Sequence, residues 1–215
     1  MDFTQPEEGT RPTEPTTSSL SLKQILIDLV ETLALAAVLF FAINAVSARV
    51  RVDGFSMLPT LHDGEYVLVN RLAYRSGLPE RGDIIVFLSP VNDQDLIKRV
   101  IGLPGDQVRV DDGQVLVNGV ALDEPYIAAA PLYQGEWTVE AGDLFVLGDN
   151  RNDSSDSHAW GLLPVENVIG KAVLTYWPPP NWKLIEHLQS ARLVPLSSRA
   201  TGRSTAIHPG EIALH

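Results

Sequence analysis

At 215 residues the chain can bury one sizeable core, with room for a separate apolar segment beside it. It has no cysteine, which excludes disulfides, thiolate metal sites and cysteine nucleophiles. A formal net charge of −11 without a dense Lys/Arg cluster argues against nucleic acid as a partner.

Met1 to Ser19 is rich in Thr, Pro, Glu and Ser and nearly devoid of apolar side chains, so residues 1–20 are expected to form a disordered tail. Ser21 and Gln24 have the spacing of a capping box, and Ile25, Leu26, Leu29, Val30 and Leu33 continue it with a helical apolar pattern. From Thr32 to Ala48 the only strongly polar side chain is Asn44, and these roughly seventeen residues are at the short end of the range for a membrane span. An anchor helix is expected over 21–49. A soluble core helix fits less well because the run is apolar on every face. A cleavable leader is a further alternative, since Val46-Ser47-Ala48 is a permissive small-residue site, but the acidic tail before it lacks a basic region. Arg11 and Lys23 before the span match Arg49 and Arg51 after it, so charge does not orient it.

Beyond the span the period changes to that of short strands. Glu65 to Asn70, Asp83 to Leu88, Asp95 to Gly102, Leu144 to Leu147 and Val168 to Trp177 read as strands. Gln107 to Val110, Gln114 to Val117 and Val120 to Leu122 are separated by Asp112-Gly113 and Asn118-Gly119, two-residue hairpin signals that predict a three-stranded meander. No long helix is expected between Val52 and Trp177. Residues 50–180 therefore read as one mainly β domain of antiparallel sheets or a partly closed barrel, joined to one N-terminal transmembrane helix. The strand set is expected to end at Pro178-Pro179-Pro180. A helix-like stretch from Trp182 to Leu188 would come next, within a largely flexible extension over 181–215.

The chemistry centres on Asp53-Gly54-Phe55-Ser56-Met57-Leu58-Pro59-Thr60-Leu61, where Ser56 is a candidate nucleophile that needs a base and an oxyanion donor. The plain alternative is a loop serine ahead of a Pro-Thr turn. A lysine kept neutral by burial is a competent base. Moving its pKa from about 10.4 to 7 or 8 takes roughly 4 kcal/mol of differential solvation. On the strand Asp95 to Gly102, Lys98 shares a face with Leu96 and Val100 and is the candidate, although an edge lysine that discourages aggregation is also common. His62 beside Asp63 offers a histidine base instead, but no spacing supports a Ser-His-Asp triad. The polar loop from Gly148 to Gly161 carries Asp149, Asp153 and Asp156 yet lacks the calcium-loop spacing and closing Glu. Neither a metal nor a cofactor is expected, and the loop suits a buttress for a buried amine.

Ser56 to Leu61, Gly82 to Phe87, Lys98 to Asp106, and Gly148-Asp149-Asn150-Arg151 through Ser154 and Asp156-Ser157 resemble, in order and spacing, the signature boxes of bacterial type I signal peptidases. The resemblance covers about Val50 to Trp177. It implies a membrane-bound serine endopeptidase that removes signal peptides from exported preproteins. The tail would be cytoplasmic, the β domain would lie on the outer face of the cytoplasmic membrane, and exported preproteins and the lipid bilayer would be the partners. It implies Ser56 as nucleophile and Lys98 as general base. Ser154 would orient the amine, Asp156 would support the loop, and Asp149 and Arg151 would be structural partners. Substrate would bind as an extended strand with small residues at the first and third positions before the cut, in pockets shaped by Val52, Met57, Leu61 and Ile97. Gly54 stands where some members carry a serine that completes the oxyanion hole. His158 stands where arginine commonly follows Asp-Ser, which makes a bridge to Asp156 conditional on protonation. Two other readings share parts of the pattern: a self-cleaving Ser/Lys protein of the repressor type, and a catalytically silent, membrane-tethered β module.

Overall fold

The computed structural model describes residues 21–187 and 193–194, so the expected tail over 1–20 and most of the C-terminal extension lie outside the described residues. The chain divides into two compact units at Ala45 and Val46. The first carries all but the last residue of helix α1, Leu22–Val46, whose 25 residues extend about 37 Å. Its most apolar window has a mean hydropathy of 2.3, so the helix is long and apolar enough to cross a membrane. Two of its polar side chains are satisfied within the helix, Thr32 Oγ1 donating to the Asp28 carbonyl and Asn44 Nδ2 to the Phe40 carbonyl, which lowers the cost of placing them in lipid.

The expected helix over 21–49 ends early. Ser47–Arg51 is strand β1, because Ala48 and Val50 pack on the β core while Arg49 and Arg51 alternate outward. The later strands are β2 (Tyr66–Asn70), β3 (Ile84–Leu88), β4 (Asp95–Gly102), β5 (Gln107–Asp111), β6 (Gln114–Val117), β7 (Val120–Leu122), β8 (Gly135–Thr138), β9 (Asp143–Leu147), β10 (Leu163–Pro164), β11 (Val168–Trp177), β12 (Lys183–Leu184) and β13 (Leu193–Val194). One sheet runs β1-β2-β11-β3-β4-β9-β10 with β12 on β11, and the other runs β13-β7-β6-β5-β8. Every pairing is antiparallel, so the mainly β class with one N-terminal apolar helix is as expected. Between Val52 and Trp177 the only α-helix is α2, Ser157–Trp160, four residues long.

The meander β5-β6-β7 forms at the predicted turns. Asp112 and Gly113 have φ of 47° and 70°, and Asn118 and Gly119 have 52° and 78°, the left-handed pairs a tight two-residue hairpin requires.

The region after Pro178 differs from expectation. A 3-10 turn over Pro179–Asn181 leads into β12, which pairs with Leu174 and Thr175 of β11, and Ile185 N donates to the Val173 carbonyl at 3.0 Å. Strand replaces helix here because the open edge of β11 offers backbone partners. It also seats Ile185, 5% exposed, in the core cluster that contains Val52, Met57, Leu61 and Ile97.

Ala48 to Arg51 of β1 and part of β4 each have one side without a strand neighbour among the described residues. β1 pairs only with β2. β4 pairs with β3 over Asp95 to Arg99, but with β9 only from Arg99 onward, which leaves one edge of Asp95 to Lys98 without a strand neighbour.

Candidate active site

Ser56 lies on the loop between β1 and β2. Leu61 N donates to the Met57 carbonyl at 2.9 Å, a helix-like turn that drives both side chains into the core and leaves Ser56 half-buried above them. The loop from Gly148 clamps it from the other side: Asn150 N donates to the Ser56 carbonyl at 3.0 Å, and Asn150 Nδ2 to the Phe55 carbonyl at 3.2 Å. Gly148 has no room for a Cβ, which would collide with Ser154 Oγ and the Ser56 carbonyl.

Lys98 Nζ lies 2.8 Å from Ser56 Oγ and donates to the Ile97 carbonyl at 3.0 Å. The residue is 3% exposed. Burial pushes its pKa down from 10.5 to about 8, against the upward pull of Asp156 and Asp149. The chain thus brings together, across forty-two positions, the hydroxyl and amine singled out in the sequence. His62 is exposed and directed at Glu65, 3.5 Å away, rather than at Ser56.

Ser154 Oγ makes no hydrogen bond to the Lys98 amine. This oxygen is buried without a hydrogen-bond partner against Gly148, while the Lys98 amine is engaged by Ser56 Oγ and the Ile97 carbonyl. Asp156 makes several contacts within the loop. It is fully buried, accepts from Gly148 N at 2.8 Å, caps α2 through His158 N, and has His158 Nδ1 at 2.7 Å, with the imidazole stacked on Tyr133 at 4.0 Å.

Asp149 and Arg151 pair with residues the sequence did not single out. Arg99 holds Asp149 in a two-pronged bridge, Nε to Oδ1 at 2.8 Å and Nη2 to Oδ2 at 2.7 Å, with Thr60 Oγ1 also donating to Oδ2. Arg99 Nη1 donates to the Gly82 carbonyl at 2.9 Å, and its guanidinium lies 4.0 Å above the Tyr126 ring. Arg151 bridges Glu124 at 2.9 and 2.6 Å and donates through Nε to the Gly148 carbonyl. Consecutive strand residues face opposite ways, so Lys98-Arg99 places cations on both faces of a central strand. That pattern was the available sign that β4 needed a buried carboxylate.

A cleft of about 710 Å³ opens beside the pair, bounded by β1 residues such as Arg49 and Val50 and by Asp95 to Lys98 of β4. Of the four expected pocket residues only Ile97 lines it. Val52, Met57 and Leu61 are core residues: the turn after Ser56 carries Met57 and Leu61 inward, and Val52 is fixed by backbone bonds to Gly64 and Glu65. Gly54 has a φ of 94°, in the region that favours glycine, and its N–H donates to Asp63 Oδ1 at 2.8 Å. Among the described residues no cluster of His, Asp and Glu is arranged to hold a metal ion.

The family described as "Signal peptidase, peptidase S26" matches residues 26–177. A signal peptidase I of Leptolyngbya laminosa is 42% identical over 80% of this chain and 90% of its own. A probable signal peptidase I-2 of Synechocystis sp. is 42% identical over 85% and 87%. A solved signal peptidase I of Enterococcus faecalis V583 aligns with 43% of this chain and 95% of its own at 38% identity, with a TM-score of 0.41.

Proposed function

The chain belongs to the signal peptidase family, peptidase S26, and from that premise we propose that it cleaves preproteins with Ser56 as nucleophile and Lys98 as general base. The observation that carries this reading is a buried amine 2.8 Å from a half-buried hydroxyl at the floor of a cleft. With the amine neutral, Ser56 Oγ–H donates to the Nζ lone pair. As Oγ attacks the scissile carbonyl the proton moves to Nζ, and the Lys98 ammonium then returns it to the leaving amine nitrogen. The acyl-enzyme is hydrolysed by a water that Lys98 deprotonates in the same way. The Ser56 backbone N–H serves as an oxyanion donor, and Gly54 contributes no hydroxyl to the hole. Ser154 acts by packing against Gly148 beneath this site, and Asp156 by fixing the Gly148 turn.

Among the described residues two strand edges without a neighbouring strand, Arg49 to Arg51 of β1 on one wall and Asp95 to Lys98 on the other, suit an extended peptide that adds as a strand, in keeping with a signal-peptide segment carrying small residues before the cut. A synthetic preprotein incubated with the full chain in detergent is expected to yield one new N-terminus after such a segment. An intact substrate, or a product pattern shared with a Ser56→Ala variant, counts against the assignment.

Below its pKa the amine is protonated and holds no lone pair. Cleavage, followed as kcat/KM, is therefore expected to rise about tenfold per pH unit on the acid side and to level off near pH 8. A limb centred near 6.5, where histidine titrates, would point to a different base.

Helix α1 is proposed as a retained anchor, with the β domain on the outer face of the cytoplasmic membrane. Signal peptides carry apolar cores that lie in the bilayer, and tethering the enzyme there raises its effective concentration at the cut. Protease added outside spheroplasts is expected to digest the β domain, whereas protection of that domain until lysis would reverse the orientation.

A further inference from the structure

Resting on the assignment of Ser56, we infer that the strap from Pro179 to His187 positions the nucleophile loop, with Lys183 and Asn181 as positioning residues. The strap reaches that loop at three separate points. Lys183 Nζ donates to the Thr60 carbonyl at 2.6 Å. Asn181 Nδ2 donates to Glu65 Oε1 at 2.8 Å, and the Glu65 carboxylate, 2% exposed, in turn accepts from His62 N through its other oxygen. Ile185 packs in the cluster that holds Met57 and Leu61, one and five positions after Ser56.

These contacts hold a segment that has no strand or helix ladder of its own. Residues 53–65 run irregularly between β1 and β2, and a loop of this kind opens easily unless side chains tie it down. The Thr60 tie has leverage on the chemistry, because the same residue reaches Asp149 with its hydroxyl and lies four positions from Ser56. Asp149 is bound to Arg99, the neighbour of Lys98. The strap thus bears on the loop that carries the nucleophile and, through Thr60, Asp149 and Arg99, on the strand that carries the base. A displacement near 1 Å between reacting groups costs about 10²-fold in rate. No residue of the strap lines the cleft beside Ser56 and Lys98, so loosening it should slow turnover without weakening substrate binding.

The test uses the full chain in detergent with a synthetic preprotein, comparing the parent, Lys183→Arg, the double variant Asn181→Ala/Lys183→Met, and Ser56→Ala. For the double variant kcat is expected to fall at least about tenfold with KM within about twofold, while Tm stays within about 3 °C of the parent. Lys183→Arg, which keeps a donor for the Thr60 carbonyl, is expected to retain the parental kcat. A double variant with parental kcat overturns the inference, as does a kcat loss fully matched by loss of folded protein. If that happens while Ser56→Ala is dead, only the role of the strap falls. If Ser56→Ala cleaves like the parent, the assignment of Ser56 falls and the strap's role falls with it.

Discussion

Replacing Lys98 with methionine is expected to reduce cleavage by at least about 10³-fold and, at pH 7, to raise the stability of the β domain. The two effects have one cause. The amine is useful as a base because burial disfavours its charged form, and the same burial disfavours the fold whenever that form is populated. Its folded pKa, about 8, is lower than its ordinary value of 10.5, so the unfolded chain binds this proton more tightly. The penalty is fully present below pH 8, shrinks as pH rises toward 10.5, and is absent above that. Its size at neutral pH is up to about 3 kcal/mol. Methionine fills much of the same volume without a charge and removes the penalty. Denaturant titrations should therefore show Lys98→Met more stable than the parent at pH 7, with the gain fading above pH 10. A Lys98→Arg variant should be equally inactive and less stable, since a guanidinium does not give up its proton. More than a tenth of parental activity in Lys98→Met would remove Lys98 as the base, and an unchanged stability would contradict the burial argument.

Asp149→Ala is expected to lose about 3 to 5 kcal/mol of folding stability, a large part of the total for a domain of this size. The bridge between Arg99 and Asp149 has side chains 1% and 0% exposed. Water cannot take over when one partner is removed. The variant leaves a guanidinium in the core with only the Gly82 carbonyl and the Tyr126 ring, and deprives Thr60 of its acceptor. Urea unfolding measures the cost directly. Removing both partners, as Arg99→Met with Asp149→Leu, should recover part of it, because the isolated charge is gone. A cost below about 1 kcal/mol for Asp149→Ala would place this pair with exposed bridges that contribute little. Activity should fall in the single variant even where it remains folded, since Asp149 also joins the Thr60 turn to the strand that carries Lys98.

The strands of the β domain are legible because strand period, hairpin turns and apolar runs are properties of near neighbours. Asn118-Gly119 turns the chain whatever lies elsewhere, and Gln114 to Val117 and Val120 to Leu122 form with the predicted bounds. The end of α1 is less legible, since Ser47 to Arg51 becomes a strand only because Tyr66 to Asn70 is there to pair with it. Trp182 to Leu188 departs from the helical expectation for the same reason: a short run with no strong propensity takes the conformation of the edge it meets, here β11.

By itself the sequence determined eight of the thirteen described strands, β2 to β7, β9 and β11, together with the two tight hairpins, the apolar helix, and Ser56 and Lys98 as a candidate hydroxyl and amine. Tertiary structure alone decided which distant side chains satisfy one another: Arg99 with Asp149 fifty positions apart, Arg151 with Glu124 twenty-seven apart, Lys183 with Thr60 one hundred and twenty-three apart. It also turned Val52, Met57 and Leu61 into the core beneath the cleft and left Ser154 Oγ off the amine. Local dihedral preferences are written into adjacent residues. The partner of a buried charge is fixed only once the chain has closed around it and excluded the water that would otherwise have served.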